Sequence, residues 1–469
     1  MAHRICFFSF LFFSLVFSFG PKTLVRAEEP ASPESTARET PVILAEISEL
    51  LSEFKYSEAI ALFDTIEPAE AADSGIQLLK ASVLSSAGKI NEARNIAAAV
   101  SASEPGNPEA LFVLSTIEGV LGRGREQKAL LERVIKADPN HAEALTELGA
   151  LSLSSRSYRN AASYFDRALE VDPGNFDALL GRARVYRLTR APQNAEPLLS
   201  KAVELYPGSS LAWHERARLY RGTGDFWKAL QDLDKARALN GGDYWIAIDR
   251  GNVLLDLNRK EQALEEYERA VSLKPGEFLA YAYTAGIKDD LKDYDGAEKD
   301  YETLAKLKPD YYFAFEGIGM HKMKRGQWAE ARDAFLEVYR QVPAEYSYAL
   351  LAAANWMKAG NIAGPRQFLS QVMSKMKRDI IDYNMMRLYY DLSGRVYSGE
   401  NSVMTMVEKE KNPDNKARMV FYLALYYDIR GSKVTADKYF LQFKDLDRQA
   451  IPEWRLNEWM LEERGLKLF

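Results

Sequence analysis

The sequence predicts an all-α solenoid of stacked helix pairs, on the basis of two regular series of residues. Alanine occupies eight of ten places spaced 34 residues apart. These places are Ala59, Ala93, Gln127, Ala161, Ala195, Ala229, Ala263, Ala297, Ala331 and Pro365. Proline recurs at the same spacing from Pro105 to Pro343, with Gly241 as the one exception. Because two independent series share one period, we infer a repeated structural unit of 34 residues.

The first residues of the chain have the order of a secretory signal. Arg4 precedes an apolar run over residues 5–19, and the small residue Ala27 comes before an acidic stretch. This order predicts a signal peptide over residues 1–27, cleaved after Ala27, and an exported protein that is periplasmic or secreted. An uncleaved anchor is the less favoured alternative, since the apolar run is shorter than the roughly 20 residues that span a bilayer. Membrane association is therefore expected only through partners or an uncleaved signal.

The composition narrows the classes of partner and chemistry. The chain has 61 basic and 67 acidic residues, a net charge of −6, and no block of basic residues, so nucleic acid is not expected as a partner. The only cysteine, Cys6, falls inside the predicted signal, which leaves no thiolate metal site or cysteine nucleophile after cleavage. Residues 28–40, rich in Pro, Ser, Glu and Thr, are predicted to be a disordered tether.

Each 34-residue unit has the apolar pattern of two helices separated by a turn. In residues 142–173, Leu145 and Leu148 mark one helix, and Ala161 and Phe165 share a face of the second. Pro173 lacks the N–H that a continuing helix needs and therefore ends the unit. Glycines that can adopt a left-handed conformation stand in the turns of other units, at Gly88, Gly122, Gly224, Gly326 and Gly360.

These residues resemble those of the tetratricopeptide-repeat (TPR) family, which has small residues where helices cross, aromatic residues beside them, and proline at the end of each unit. The resemblance covers residues 41–379 in one register. It implies a right-handed α-solenoid, or superhelix, of about eleven helix-turn-helix units including degenerate ones. It also implies that the first helix of each pair lines a concave groove in which protein or peptide partners lie.

The repeat pattern weakens near the C-terminus. Residues 380–416 keep the period without its alanine and are predicted to be a degenerate repeat with an insertion around residues 412–415. Residues 417–450 form another clear unit. Residues 451–469 are predicted to be a C-terminal helix that caps the last exposed core face, and docking of Trp454 or Trp459 into a partner is the alternative.

The chain lacks the residue sets that enzymes need. It contains no phosphate-binding glycine loop, nucleophile turn, zinc-protease motif or dinucleotide fingerprint after a strand. The histidines outside the predicted signal, His141, His214 and His321, fall at different places in their repeats, so stacking does not align them as metal ligands. We therefore predict a non-catalytic protein with no cofactor and no metal.

One stretch of the predicted groove is unusually basic. Residues 176–190 and 210–222, two successive first helices, contain seven arginines against Asp177 and Glu215. Two interpretations remain open: the acids pair with the arginines inside the protein, or the arginines bind carboxylates of a partner. The second interpretation predicts a partner-binding site made of Arg184, Arg187, His214, Arg218, Arg221, Trp245 and Asn252. Its partner would be a protein or peptide that presents acidic groups or a C-terminal carboxylate.

A second stripe, which contains Phe313, Glu316, Met320 and Met323, is a weaker candidate surface, and core packing is the favoured explanation for each of these residues. The whole sequence favours a protein-interaction scaffold of the cell envelope or periplasm. One alternative is a TPR co-chaperone of the eukaryotic ER lumen, although the chain has neither an HPD motif nor a KDEL-type ending. The other alternative, an enzyme with a site built across the groove, requires convergent polar residues that the sequence does not show.

Overall fold

The computed structural model describes residues 39–392 and 399–466. The predicted signal peptide and most of the predicted tether lie outside these residues. The described residues form 26 α-helices and no β-strand, so the prediction of an all-α fold is confirmed. The chain divides into two compact units, one ending at Leu239 and the other starting at Asn240. No helix among the described residues has both the length and the apolar character needed to span a membrane.

Unit 1 contains six helix pairs and one additional short helix among its described residues. The helices are α1 (Thr40–Ser52), α2 (Tyr56–Leu62), α3 (Pro68–Ala71), α4 (Ser74–Ser86), α5 (Ile90–Ser103), α6 (Pro108–Val120), α7 (Gly124–Ala137), α8 (Ala142–Ser154), α9 (Tyr158–Val171), α10 (Phe176–Leu188), α11 (Glu196–Leu205), α12 (Ser210–Thr223) and α13 (Phe226–Leu239). The short helix α3 stands outside the pairing, between α2 and α4.

Unit 2 contains six further pairs and a final single helix among its described residues. The helices are α14 (Tyr244–Asp256), α15 (Lys260–Leu273), α16 (Phe278–Asp290), α17 (Tyr294–Leu307), α18 (Tyr312–Lys324), α19 (Trp328–Gln341), α20 (Tyr346–Lys358), α21 (Gly364–Met373), α22 (Ile381–Tyr390), α23 (Glu400–Lys409), α24 (Pro413–Ile429), α25 (Lys433–Asp445) and α26 (Pro452–Glu463). The two units together hold twelve pairs, close to the predicted eleven.

The 34-residue series correspond to fixed positions in each pair. All eight alanines of the series are fully buried, seven on second helices and Ala195 directly before α11, and the absence of a larger side chain lets the first helix approach. In five of these eight units an aromatic residue stands four positions later and fills the space beside the crossing. The ring of Phe165 packs so closely on α8 and α10 that a Cβ atom at Gly149 would lie 2.6 Å from it. These contacts explain why the crossing positions are restricted to small residues.

The turn inside each pair has one residue with a left-handed backbone. All five glycines predicted for these turns have positive φ, so that prediction is confirmed. The same position is left-handed in the other pairs of this register, with φ between 58° and 64°, although it carries a side chain there: Phe54, Arg156, Arg190, Asn258 and Lys292. The turn geometry is therefore set by the helix pair, and glycine is not obligatory for it.

The first helices of successive pairs also begin in the same way. For the six first helices α4, α6, α8, α10, α12 and α14, the residue before the helix accepts one or two hydrogen bonds from backbone N–H groups of the first turn through its side chain. These residues are again spaced by 34: Asp73, Asn107, His141, Asn175, Ser209 and Asp243. Nδ1 of His141 lies 3.3 Å from the backbone nitrogen of Ala144, so this histidine is a helix cap.

The C-terminal part of unit 2 differs from the prediction at two points. The predicted insertion over residues 412–415 is the first turn of a longer helix, α24, because the side chain of Asn412 accepts the N–H groups of Asp414 and Asn415 at 3.0 Å. The last helix, α26, does more than cap α25. Trp459 on α26 packs edge-on against Tyr294, with ring centroids 5.4 Å apart, and thereby returns to the α16–α18 region.

Candidate partner-binding surface

Four of the predicted site residues stand on two neighbouring first helices of unit 1. Arg184 and Arg187 are on α10, and Arg218 and Arg221 occupy the equivalent positions of α12. The side chain of Arg184 is 41% exposed, and those of Arg187 and Arg218 are each 33% exposed. Arg221 is also partly exposed, in the last turn of α12. The repeat therefore brings these guanidinium groups to one surface, as the spacing predicts.

Three of these arginines converge on one carboxylate. Nη2 of Arg184 donates to Oε1 of Glu215 at 2.6 Å. Nη2 of Arg187 lies 3.5 Å from Oε2 of the same residue, and Nη1 of Arg218 lies 3.7 Å from Oε1. Glu215 is only 4% exposed and forms the floor of this surface. One internal carboxylate is thus shared by three cationic side chains that reach the solvent.

The pKa of Glu215 shows which electrostatic effect is stronger at this surface. Burial by itself would raise the pKa of Glu215. The charge and hydrogen bond of Arg184, together with the charges of Arg187 and Arg218, outweigh burial, and the pKa of Glu215 is lowered. Glu215 is therefore ionised at neutral pH, so the internal pairing proposed from the sequence is present for this acid.

The other acid of these helices is not paired. No lysine or arginine in the described part of the chain lies within 4.0 Å of the carboxylate of Asp177. Burial raises the pKa of Asp177 to about 6, although the charge of Arg184 opposes this effect. Burial, with the nearby Asp177, raises the pKa of Glu147 on α8 to about 7. Glu147 is not among the predicted site residues, and its only signal in the sequence is an acid within the first-helix stripe of its repeat.

A further series of arginines, at Arg182, Arg216 and Arg250, is occupied within the protein. Nε of Arg182 donates to Asp166 at 2.6 Å. Arg216 makes two hydrogen bonds to Asp232, at 2.7 and 2.8 Å, and Nη1 of Arg250 lies 2.7 Å from Glu266. The guanidinium carbon of Arg182 also lies 3.8 Å from the ring centre of Tyr186. These arginines hold helices together.

The remaining three predicted site residues have different environments. His214 in unit 1 is 5% exposed, and Asn252 in unit 2 is 8% exposed. The side-chain oxygen of Asn252 accepts a hydrogen bond of 2.8 Å from the hydroxyl of Tyr267. Neither side chain reaches the surface, although Asn252 stands 34 residues after Arg218, whose side chain is 33% exposed. Trp245, also in unit 2, is 38% exposed and remains a surface residue.

The residues of the second predicted stripe, on α18, also differ in their exposure. Met320 and Met323 are 7% and 2% exposed, so they are core residues. Phe313 at the start of the stripe is 44% exposed. Among the described residues, no group of three or more His, Cys, Asp and Glu side chains has the arrangement of a metal site.

Comparison with known proteins gives matches to repeat families. A tetratricopeptide-repeat model matches residues 151–210, 248–312 and 285–346, and a second model with the same description matches residues 198–231. A comparison with curated proteins finds no match.

Similar solved structures come from several bacteria. PilF of Pseudomonas aeruginosa is 20% identical, with 44% of this chain and 94% of that one covered and a TM-score of 0.40. A tetratricopeptide-repeat protein of Parabacteroides merdae is 19% identical, with 52% and 96% covered and a TM-score of 0.40. A thermophilic TPR protein of Thermus thermophilus is 21% identical, with 39% and 98% covered and a TM-score of 0.34.

Proposed function

This chain is a tetratricopeptide-repeat protein, and on that basis we propose that it is a non-catalytic scaffold that binds an acidic protein or peptide on the first helices of unit 1. The observation that carries the proposal is the convergence of Arg184, Arg187 and Arg218 on the single carboxylate of Glu215. A partner carboxylate placed over this floor gains charge-assisted hydrogen bonds from guanidinium groups that are already held in position.

The compartment is part of the same proposal. The basic start, the apolar run over residues 5–19 and the small residue Ala27 support export through a cleaved signal peptide. We place the scaffold in the cell envelope or periplasm on this ground. Sequencing the N-terminus of protein recovered from the periplasm tests it. A mature chain that begins at Glu28 supports export, and a chain that retains residues 1–27 in the cytoplasm contradicts it.

The binding test must separate loss of charge from loss of fold. Arg184 makes the shortest bond to the buried Glu215, so its replacement would also disturb the protein interior. The double variant Arg187→Gln with Arg218→Gln removes two surface charges and keeps that bond. The matched control is Arg125→Gln with Arg159→Gln. These two arginines are also 34 residues apart, but they are exposed on the second helices α7 and α9.

The probe is a dye-labelled octaglutamate peptide, measured by fluorescence anisotropy against the full mature chain. We expect the site variant to bind at least tenfold more weakly and the control variant to bind as the wild type does. The affinity should also fall with added salt, since the contacts are partly exposed ion pairs. Equal binding by the site variant and the wild type, with the helical fold intact in both, would overturn the assignment of this surface.

A further inference from the structure

Unit 2 contains a chamber, partly open to solvent, that the repeat pattern does not account for. The first helices α16, α18 and α20 form one side of it, and residues 449–455, at the start of α26, form the other. Its volume is about 880 Å³. Binding sites for small ligands and side chains have volumes of roughly 300–1,000 Å³, whereas packing defects hold at most a few waters. The chamber is therefore large enough to receive a ligand.

The wall formed by α26 is held in place by ion pairs. Nη1 and Nη2 of Arg455 lie 2.8 Å from Asp289 and Asp290, respectively, and Nζ of Lys260 lies 2.8 Å from Asp290. Nε1 of Trp459 is 3.3 Å from the hydroxyl of Tyr294. Two of the three cations that line the chamber, Lys260 and Arg455, are thus paired within the protein. The wall therefore forms without a ligand.

The other carboxylates of the chamber are not matched by cations. Nε of the third cation, Arg418, is 3.7 Å from Glu453, a buried acid on α26. Within the described ranges, no lysine or arginine lies within 4.0 Å of Glu316, Glu345 or Glu458. Negative charge in the chamber therefore exceeds the positive charge that the protein supplies.

Glu316 is the most desolvated of these three acids. Burial raises its pKa to about 7, while the hydrogen bond from the hydroxyl of Tyr348 and the charge of Arg418 partly oppose the effect. The negative charge of Glu453 raises the pKa of Glu316 further. A buried carboxylate with a single neutral donor is stabilised strongly by any cation that reaches it.

Aromatic rings stand beside this carboxylate. Phe313 is three residues before Glu316 on the same helix face and is 44% exposed. The ring of Tyr312 is stacked on it at a centroid distance of 4.1 Å, and Trp454 lines the opposite wall. A carboxylate next to exposed ring faces is the arrangement that recognises an ammonium or guanidinium group, since the rings attract the cation and cover its alkyl stem.

The approach to the chamber is apolar. Leu279 and Trp245 occupy the position of Phe313 on the two preceding first helices, 34 and 68 residues before it, respectively. Trp245 is 38% exposed and Leu279 is partly exposed. A row of apolar side chains leading to a charged chamber suits an extended peptide better than a free amine.

We propose that this chamber binds a lysine or arginine side chain of a partner peptide, with the cation between the carboxylate of Glu316 and the ring of Phe313. Neighbouring apolar residues of the peptide lie along Leu279 and Trp245. This site is separate from the arginine surface of unit 1 and has the opposite charge preference, so either proposal can fail without the other.

The test uses the full mature chain and two dye-labelled decapeptides. One repeats alanine, lysine and phenylalanine, and its twin has glutamate at every lysine position. We expect the wild type to bind the lysine peptide at least tenfold more tightly than the glutamate peptide. Glu316→Gln should weaken the lysine peptide about tenfold, because glutamine keeps the Tyr348 contact and loses the charge. Glu330→Gln, an exposed position on α19, is the matched control and should leave binding unchanged.

Two further measurements complete the test. Binding of the lysine peptide should weaken between pH 8 and pH 6 as Glu316 takes up a proton, and this dependence should vanish in Glu316→Gln. The titratable and charged groups facing Glu316 are Tyr301 on α17, Tyr312 on α18, Tyr348 on α20, Arg418 on α24 and Glu453 on α26. Equal binding of the two peptides by the wild type, or unchanged binding in Glu316→Gln, would overturn the proposal. If N-acetyl-lysine amide binds as tightly as the lysine peptide, the proposed docking of the peptide along Leu279 and Trp245 is wrong.

Discussion

Nη2 of Arg184 on α10 lies 2.6 Å from Oε1 of Glu215 on α12, and this bond joins two neighbouring repeats through a charge at their exposed surface. Glu215 is almost fully buried, so the pair is screened from solvent on the carboxylate side only. The surface that we propose for partner binding is therefore built on a bond that also contributes to the fold.

Replacing Arg184 by alanine should destabilise the protein. Glu215 would remain buried with only the more distant Arg187 and Arg218 near it, and we expect a loss of about 1–3 kcal/mol in the free energy of unfolding. Urea unfolding at pH 7 measures it. Adding Glu215→Gln should restore part of the loss, and Arg159→Ala on the exposed face of α9 should change stability by less than about 0.5 kcal/mol. An unchanged midpoint in Arg184→Ala would show that the pair contributes nothing.

Replacing Gly181 by alanine should destabilise the protein even though alanine is the better helix former. A Cβ atom at Gly181 would collide with the ring of Phe165, which is fixed between α8 and α10. We expect a loss of about 1–3 kcal/mol from overpacking. Gly286→Ala on α16 is the control. No atom lies within 4 Å of a Cβ atom there, and helix propensity alone should stabilise it by about 0.5–1 kcal/mol. In thermal unfolding, the midpoint temperature should fall in Gly181→Ala and rise in Gly286→Ala.

Replacing Arg156 by glycine should stabilise the protein. Arg156 holds a left-handed backbone, with φ of 59°, in the turn between α8 and α9. Glycine removes the Cβ strain but adds freedom to the unfolded chain, and we expect a net gain of about 0.5 kcal/mol. Gly122→Ala at the same position of the preceding pair, where φ is 76°, should cost about 1 kcal/mol. A loss of stability in Arg156→Gly would show that its side chain has a structural role.

Stability should depend on pH through Glu147. Its pKa is about 7 in the folded protein, above its ordinary value of 4.5, so the folded state binds more protons between these two values. The contribution of this group to stability is therefore lost as pH rises from about 4.5 to 7. Partial exposure reduces the effect, and we expect Glu147→Gln to gain about 1 kcal/mol over the wild type at pH 8. The two proteins should be equally stable at pH 4.5, and a gain at both pH values would contradict the assignment.

Replacing Trp459 by alanine should loosen unit 2 alone. Trp459 is 5% exposed and packs on Tyr294 and His321, so its removal should cost about 3–5 kcal/mol. Hydrogen exchange read by mass spectrometry should show faster exchange in α17, α18 and α26. Peptides of unit 1 should exchange at the wild-type rate, since repeats are stabilised by their neighbours. Trp227→Ala, at a residue that is 58% exposed, is the control and should leave both units unchanged.

The sequence was sufficient to predict the repeat and its geometry. The alanine series, the turn glycines and the helix pairs depend only on residues close in sequence, so a fixed spacing reveals them. The burial of His214 and Asn252 could not be predicted in this way. Arg218 and Asn252 occupy the same place in successive repeats, yet the first is 33% exposed and the second 8%, so the place in the repeat does not by itself determine exposure.

Whether a contact could be predicted depends in the same way on how close its residues are in sequence. Arg216 and Asp232 are 16 residues apart, on the two helices of one pair, and the spacing alone could have suggested their contact. The chamber of unit 2 could not be predicted, because it depends on α26 meeting α16 and α18. The local signal was the single acid Glu316 within the otherwise apolar stripe of α18.

The return of α26 also determines when unit 2 can be completed during synthesis. Arg455 and Asp290 meet across 165 residues of sequence, a separation far larger than that between neighbouring repeats. Pairs of unit 1 can form successively as each one leaves the ribosome. The surface around Tyr294, in contrast, remains exposed until Trp459 has been synthesised. The nascent chain thus exposes the ring of Tyr294 to solvent for most of the translation of unit 2.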